Sequence, residues 1–319
     1  MHQTNTHAIV EAGVMSAVAV IFALISAYFP ILGIFVTLLW PVPFILLGVR
    51  HDFRWSVMAT VVAAVMSAIF IQPLKAVSII IDFVPIGLVL AHAFRARFGP
   101  FKTIMWGAVA CLASNLGGIV LSLLVVGINP LNFQLEAMQT AVPQAMEIYR
   151  NFGMPEEQIA QLEAQFTAAM AFIPLVIPAL LAVAAVFQTL LNFLFARVIL
   201  RRFGVQTPAF PPFREWTLPR PFLYVLALGI ISAYVGKSLS QDLLFRIGAN
   251  LLWVSAVLFF GQGLALIYYL AEKYNLSRLM RNIILIMIIT NGLLQLAAVL
   301  AGVYDLAADF RRLRTPRSS

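Results

Sequence analysis

Long apolar segments recur along almost the whole chain, separated by short clusters of arginine and lysine. A helix needs about 20 apolar residues to cross the hydrocarbon core of a bilayer, and most of these segments approach that length. They predict an all-α protein, a polytopic transmembrane helical bundle of eight or nine spans. The seventh segment is short, and a tilted, re-entrant or interfacial helix there would leave eight. The nine segments lie near residues 10–29, 31–49, 55–72, 77–94, 103–127, 171–196, 221–236, 247–270 and 282–304.

Composition supports the membrane class. Hydrophobic residues make up 62% of the 319 and charged residues 11%, whereas soluble domains carry about 25% charged residues. A water-soluble fold cannot bury so much apolar surface. The formal net charge of +8 does not indicate nucleic acid as a partner, because the basic residues lie at the ends of apolar segments, where they anchor topology in a lipid bilayer.

The basic residues also predict an orientation. With the amino terminus in the cytoplasm, most of them face inside, as the positive-inside rule requires, and Lys75, Arg150, Lys237 and Arg246 face outside. Nine spans would place the basic tail, 311–317, outside, and eight would return it to the cytoplasm. We therefore expect a multi-pass membrane protein with a cytoplasmic amino terminus.

Two segments are too polar to lie in the membrane. Residues 128–170 contain five glutamates, and breaks at Asn129-Pro130 and Gly153-Met154-Pro155 predict two amphipathic helices. This acidic extracytoplasmic insert is either a cap over the outer helix ends or a solvated linker. Residues 203–220, with four prolines, predict a cytoplasmic linker. It separates a six-helix membrane domain, 1–202, from a carboxy-terminal block of two or three membrane helices with a basic tail, 221–319.

Motifs for enzyme chemistry are not found in the sequence. It contains neither a P-loop for ATP nor a Gly-x-Ser-x-Gly nucleophile elbow. His2 and His7 lie in the amino-terminal tail and His51 and His92 at span ends, without a partner at metal-ligand spacing. The single cysteine, Cys111, is interpreted as a small buried hydrophobe. We predict a protein that is not an enzyme and that carries no cofactor or metal.

Asp82 is the one acid well inside an apolar segment. A carboxylate at membrane depth is costly and commonly marks a substrate or ion pathway, so a contact with a solute in an outward-facing pocket is one interpretation. A structural pair with Lys75, or with an arginine from elsewhere in the chain, is the other. Pro85, three residues later, frees a backbone carbonyl and can bend the helix beside this acid.

Amide side chains accompany Asp82 at similar depth. Asn115 and Gln188 lie near mid-membrane in the fifth and sixth segments, and Asn192 shares a helix face with Gln188. Such amides either bond a neighbouring helix or line a binding site. Convergence with Asp82 on one cavity would favour the second interpretation. The candidate substrate-binding residues are thus Asp82, Asn115, Gln188 and Asn192.

The first segment carries small residues at four-residue intervals, a spacing that lets another backbone approach closely. Internal packing is one use of this stripe, and docking of another membrane subunit is the other. Its members are Gly13, Ala17, Ala19, Ala23 and Ala27.

Three short motifs resemble a known family. Glu11-Ala12-Gly13 leads into the small-residue helix, residues 41–47 (Pro-Val-Pro-Phe-Ile-Leu-Leu) precede Arg50-His51, and residues 302–311 place two acids before Phe-Arg. These patterns resemble the YybS-like family of bacterial multi-pass membrane proteins of unknown function, over essentially the whole chain, and the resemblance implies a bacterial cytoplasmic (inner) membrane.

That family is in turn distantly similar, over about residues 8–200, to the substrate-binding S components of energy-coupling factor (ECF) transporters. The resemblance implies an S-component-like six-helix fold with both ends cytoplasmic and a vitamin or metal ion bound near the outer face. It also implies that the small residues of the first helix contact a transmembrane coupling subunit linked to two ATPases. Asp82 would lie at a plausible pocket depth.

Two functions follow from these observations. The first is binding or uptake of a small solute in the manner of an ECF substrate-binding component, with energy from a partner ATPase or an ion gradient. The alternative is a non-transporting scaffold, assembly or regulatory protein that acts through its carboxy-terminal block and the 305–311 end. Under the alternative, Asp82 should be salt-bridged and the bundle solid.

Overall fold

The computed structural model describes residues 2–71 and 73–313, apart from the side chains of residues 2–5, 30, 34, 37, 73–75, 79 and 83. All regular secondary structure in these ranges is helical, which confirms the predicted all-α class. One 3-10 turn, Phe213–Glu215, accompanies twelve α-helices. They are α1 His2–Tyr28, α2 Pro30–Thr37, α3 Val42–Arg50, α4 Phe53–Phe70, α5 Pro73–Arg95, α6 Pro100–Val125, α7 Pro130–Asn151, α8 Glu156–Arg202, α9 Pro221–Ser238, α10 Asp242–Lys273, α11 Arg278–Thr290 and α12 Gly292–Ala308.

Seven of the described helices are long and apolar enough to cross a membrane: α1, α4, α5, α6, α8, α9 and α10. The pair α11 and α12 is bent by 105° and forms either a broken eighth span or a re-entrant loop. The predicted polytopic bundle is thereby confirmed. If the bent pair is one span, the count is eight, the lower of the two numbers predicted. The short seventh segment, 221–236, is the intact helix α9.

The second predicted span, 31–49, is not one helix. The chain turns at residues 38–41 between α2 and α3, each too short to cross a bilayer alone. Pro41 and Pro43 explain the break, because neither has a backbone N–H to donate to the carbonyl four residues earlier, and Pro43 then lies in the first turn of α3, where that donor is not needed. Helix α3 is apolar on every side, and it is accordingly buried from Val42 to Gly48.

The last predicted span, 282–304, is broken at Asn291. This residue has an extended backbone, and its side-chain Oδ1 accepts hydrogen bonds from the amides of Leu293 and Leu294, which caps α12. Gln295 Nε2 donates to the carbonyl of Ile289 at 2.6 Å, across the break. Asn291 and Gln295 therefore make a boundary between two helices inside the segment that was predicted as one span.

The predicted breaks around the acidic insert are present in the structure. Helix α7 begins at Pro130 under an Asn129 cap, and α8 begins after Pro155. The second amphipathic helix of the insert is continuous with the sixth apolar segment, because α8 runs for 47 residues.

The described chain forms two compact units. The first contains the residues up to Glu163 together with Ala184–Ala209, and the second contains Ala164–Val183 together with the residues from Phe210 onward. The contacts thus divide the chain near the proline-rich segment and also assign the middle of α8 to the second unit.

In the first unit, two contacts define how α1 to α4 run. Glu11 of α1 is bonded to Arg50 at the end of α3, and Tyr28 at the end of α1 donates to the carbonyl of Phe70 at the end of α4 (2.9 Å). Helices α2 and α3 together therefore return the chain from the level of Tyr28 to the level of Glu11. The broken segment still connects the two ends of the unit.

The core of this part of the unit is built from α1, α3 and α4. Trp40, Phe44 and Leu47 pack against small buried residues, including Ala19 and Ala63. Small side chains on α1 and α4 let the large side chains around α3 fill the space between helices.

Candidate functional site

Asp82 lies on α5 and faces α6. It is half-buried, and a Cβ added to Gly118 of α6 would lie 3.0 Å from its Oδ1. The glycine therefore leaves room for the carboxylate between the two helices. Pro85 follows inside α5, as the sequence predicted.

The Asp82 carboxylate has no hydrogen bond or ion pair to any residue whose side chain the structure describes. Lys75, the partner considered in the sequence analysis, lies outside the residues with described side chains. A carboxylate in a membrane protein needs a cation, water, a ligand or a proton. Asp82 is thus not paired with any side chain that the structure describes.

Asn115 and Gln188 are joined through Cys111. The Cys111 thiol donates to Gln188 Oε1 at 3.3 Å, and Asn115 Nδ2 lies 3.9 Å from Cys111 Sγ. Residues 111, 115 and 118 share one face of α6, so the same face meets Asp82 and Gln188. We call Asp82, Cys111, Asn115, Gln188 and Asn192 the polar cluster.

Asn192 extends the cluster along α8. Its Nδ2 donates to the Gln188 carbonyl at 2.9 Å, and its side chain is buried. Its Oδ1 has no partner among the described residues, nor have Ser114 Oγ and Thr189 Oγ1 on the same two helices. Buried polar atoms are nearly always paired with protein or ordered water. These atoms are therefore available to bond ordered water or a bound polar molecule.

Sequence reasoning named the acid and the amides of the cluster, and its interpretation of Cys111 as a small buried residue is confirmed. It did not predict the contact of the Cys111 sulfur with Gln188, which connects α6 to α8. The signal available in the sequence was the spacing of Cys111, Asn115 and Gly118, which are four and three residues apart and share a helix face.

An apolar cavity of about 670 Å³ begins one helical turn from Asp82. It lies between α4, α5 and α6, with Pro85 nearest the polar cluster and with His92 and Lys102 towards the opposite end of α5. Its lining residues are Phe53, Pro85, Leu88, Val89, His92, Ala93, Phe98, Lys102 and Trp106.

The small residues predicted as a docking stripe do not share one exposed face. Ala19 and Ala23 are fully buried, whereas Gly13 and Ala17 are exposed and Ala27 is intermediate. Ala19 packs in the core, where it contributes to internal packing. Gly13 and Ala17 are the positions of the stripe that another membrane subunit can reach.

Two of the three motifs that carry the family resemblance meet in the first unit. Glu11 accepts a hydrogen bond from Arg50 (2.6 Å) and lies 2.7 Å from His51 Nε2. Arg95 Nη1 bonds Asp52 Oδ1 at 2.8 Å beside them. One end of the first unit is therefore a network of charged side chains from α1, α3, α5 and the turn between α3 and α4.

The second unit contains a buried ion pair within the 305–311 motif. Arg311 Nη2 lies 2.8 Å from Asp305 Oδ2, and both side chains are at most 3% exposed. Gln262 also donates to Asp305 (2.6 Å), and Arg311 donates to the carbonyl of Trp216 (2.7 Å). The 305–311 motif thus holds α10, α12 and the proline-rich segment together.

A bundle of apolar helices with charged side chains at one end of its first unit and polar groups inside defines a polytopic helical membrane protein. The chain belongs to the family described as "Predicted membrane protein (DUF2232)", whose model matches residues 17–306. It is 25% identical over 316 residues to the "Uncharacterized protein YybS" of Bacillus subtilis (strain 168), covering 96% of this chain and 98% of the relative. No solved structure matches the chain.

Proposed function

We propose that the protein binds a small solute at the polar cluster and takes part in its uptake, in the manner of an ECF substrate-binding component. The observation that carries the proposal is the Asp82 carboxylate, which faces the side of α6 that also carries Cys111 and Asn115 and has no partner among the described side chains. Intramembrane ionisable residues of this kind mark substrate or ion pathways.

A neighbouring cavity, on the side of Asp82 nearer the charged end of the first unit, is large enough for a small solute. Its volume of about 670 Å³ falls within the roughly 300–1,000 Å³ typical of small-molecule sites. Its walls are apolar and the polar cluster is one turn away, so the favoured solute is a small organic molecule with both an apolar part and a hydrogen-bonding part.

A bacterial inner membrane with a cytoplasmic amino terminus is the proposed location. The end of the first unit that holds Glu11 also holds Arg50 and Arg95, and the Arg50 guanidinium lies over the ring of Phe203. The positive-inside rule places such an end in the cytoplasm. The sequence contains no P-loop, so the proposal assigns the energy source to a partner, a transmembrane coupling subunit with ATPases, or to an ion gradient. Gly13 is an exposed position for contact with that subunit.

The proposal is tested by metabolite retention. The full chain and the variant Asp82→Asn are placed in lipid nanodiscs, incubated with a cell metabolite extract, washed, and analysed for retained molecules by mass spectrometry. We expect a retained compound that Asp82→Asn loses by at least tenfold. The control Asp242→Asn makes the same change at an exposed carboxylate and should retain it. Equal retention by Asp82→Asn would contradict the assignment.

A membrane scaffold remains the second candidate, and it is favoured by the second unit. A Cβ on Gly263 would overlap the carbonyl oxygen of Ala298, and one on Gly302 would overlap that of Phe259, so α10 and α12 are in close backbone contact. Such a rigid block suits an assembly role. Co-purification of unrelated membrane subunits with no retained metabolite would favour this function.

A further inference from the structure

We propose that His7, Glu11 and His51 form a binding site for a divalent transition-metal ion, with Zn²⁺ the best match. The three side chains offer two imidazole nitrogens and one carboxylate oxygen, and these ligand atoms all lie within 4.8 Å of one another. The site lies at the charged end of the first unit, away from the polar cluster, and does not depend on the proposed function.

The ligands come from two helices. His7 and Glu11 are four residues apart on α1, so they share a helix face, and His7 Nδ1 lies 3.9 Å from Glu11 Oε2. His51 terminates α3 as its C-cap and places Nε2 at 2.7 Å from the same oxygen. An ion at this position would connect the start of α1 to the end of α3.

Arg50 orients the carboxylate for this role. Its Nη1 bonds Glu11 Oε1 at 2.6 Å, which leaves Oε2 facing the two imidazoles. Hydrogen bonds of this type to a ligating carboxylate fix its orientation and are a regular part of metal sites. The Arg50 charge is compensated by Glu11, so the site is not strongly repulsive to a cation.

The donor set selects the metal. Two histidines and one glutamate with an open fourth position match the zinc sites that keep one position for water or another ligand. Ca²⁺ and Mg²⁺ prefer oxygen ligands only. Tetrahedral coordination at about 2.0–2.1 Å requires ligand atoms about 3.3 Å apart. His7 can move to meet that distance, because its side chain is 76% exposed.

The signal in the sequence is the four-residue spacing of His7 and Glu11, which the prediction of no metal ligand overlooked. His51 cannot be joined to them from sequence, because it lies 40 residues from Glu11. Helices α2 and α3 carry the chain back to the level of Glu11, so His51 lies at the same end of the first unit as His7 and Glu11.

The test is a zinc titration of the full chain, purified in detergent with a tag free of histidine and stripped of metal. Competition with a chromophoric chelator should give about one Zn²⁺ per chain, and Co²⁺ should give the visible absorption of four-coordinate nitrogen and oxygen ligation. His7→Ala, at an exposed side chain, and His51→Ala should each weaken Zn²⁺ binding at least tenfold.

His92→Ala is the matched control, because His92 lies on α5 outside the site, and it should leave the affinity unchanged. Gel filtration and thermal unfolding without metal verify that each variant is folded. Undetectable Zn²⁺ binding, full binding in folded His7→Ala, or equal loss in His92→Ala would overturn the proposal.

Discussion

Arg50 and Glu11 are 39 residues apart in sequence, and Arg50 Nη1 lies 2.6 Å from Glu11 Oε1. The Glu11 side chain is only 10% exposed. This ion pair joins α1 to the end of α3. It therefore stabilises the arrangement in which two short helices, α2 and α3, replace the single span predicted for this segment.

Replacing Arg50 should destabilise the first unit. Arg50→Ala leaves a mostly buried carboxylate without its charged donor, and a hydrogen bond to a charged group contributes about 1.5–3 kcal/mol. We expect the free energy of unfolding to fall by an amount within that range, measured by SDS titration. Arg54→Ala, at an exposed arginine without an ion pair to any described residue, is the control and should change it by less than about 0.5 kcal/mol. An Arg50→Ala effect no larger than the control's would contradict the structural role.

The fold class could be predicted from sequence because the bilayer sets both the length and the polarity of a spanning helix. The interruptions could not be predicted from hydrophobicity alone. Pro41 and Pro43 lie in a segment as apolar as its neighbours, and Asn291 is a single amide in another. Each acts on the backbone, through missing donors or through a cap, and a hydropathy window averages over that effect.

Replacing Asp82 should not destabilise the protein, in contrast to replacing Arg50. Because no described side chain pairs with its carboxylate, Asp82→Asn should leave the free energy of unfolding of the ligand-free protein unchanged or raise it by about 0.5–2 kcal/mol. Thermal unfolding in detergent, followed by tryptophan fluorescence, measures the change. If Asp82 formed a structural ion pair, Asp82→Asn would instead lower the free energy of unfolding by about 3–5 kcal/mol. That result would make Asp82 a structural residue.

Two adjacent glycines allow a matched test of the polar cluster. A Cβ at Gly118 would lie 3.0 Å from Asp82 Oδ1, whereas one at Gly117 would lie 3.7 Å from Ile81 Cγ2, an ordinary contact. Gly118→Ala should therefore displace the carboxylate and reduce metabolite retention several-fold, while Gly117→Ala retains the compound. Equal retention by the two variants would show that the carboxylate position is not important for binding.

Arg311 should be among the residues most important for stability in the second unit. Its removal leaves Asp305 charged and buried, and breaking such a pair costs about 3–5 kcal/mol. We expect Arg311→Met to lower the unfolding temperature strongly and Arg312→Met, at an exposed neighbour, to have little effect. The double variant Asp305→Leu with Arg311→Met should recover much of the loss. Equal effects of the two arginine substitutions would contradict this account.

The sequence was sufficient to predict which residues belong to the candidate site, but not which of them contact one another. Asp82 and the amides are conspicuous because polar groups are costly in a membrane, but Cys111 meets Gln188 across 77 residues. The small residues of the first segment divide between the two uses considered for them. Residues two apart point to different sides of a helix, so Ala17 and Ala19 cannot belong to one face.

Solute binding at the polar cluster is the central claim, and native mass spectrometry of the gently extracted full chain tests it most directly. The spectrum of the wild-type protein should contain a species heavier by one small molecule, and this species should be absent from Asp82→Asn and present in Asp242→Asn. A wild-type spectrum without such a species, or the same bound mass in Asp82→Asn, would contradict the claim.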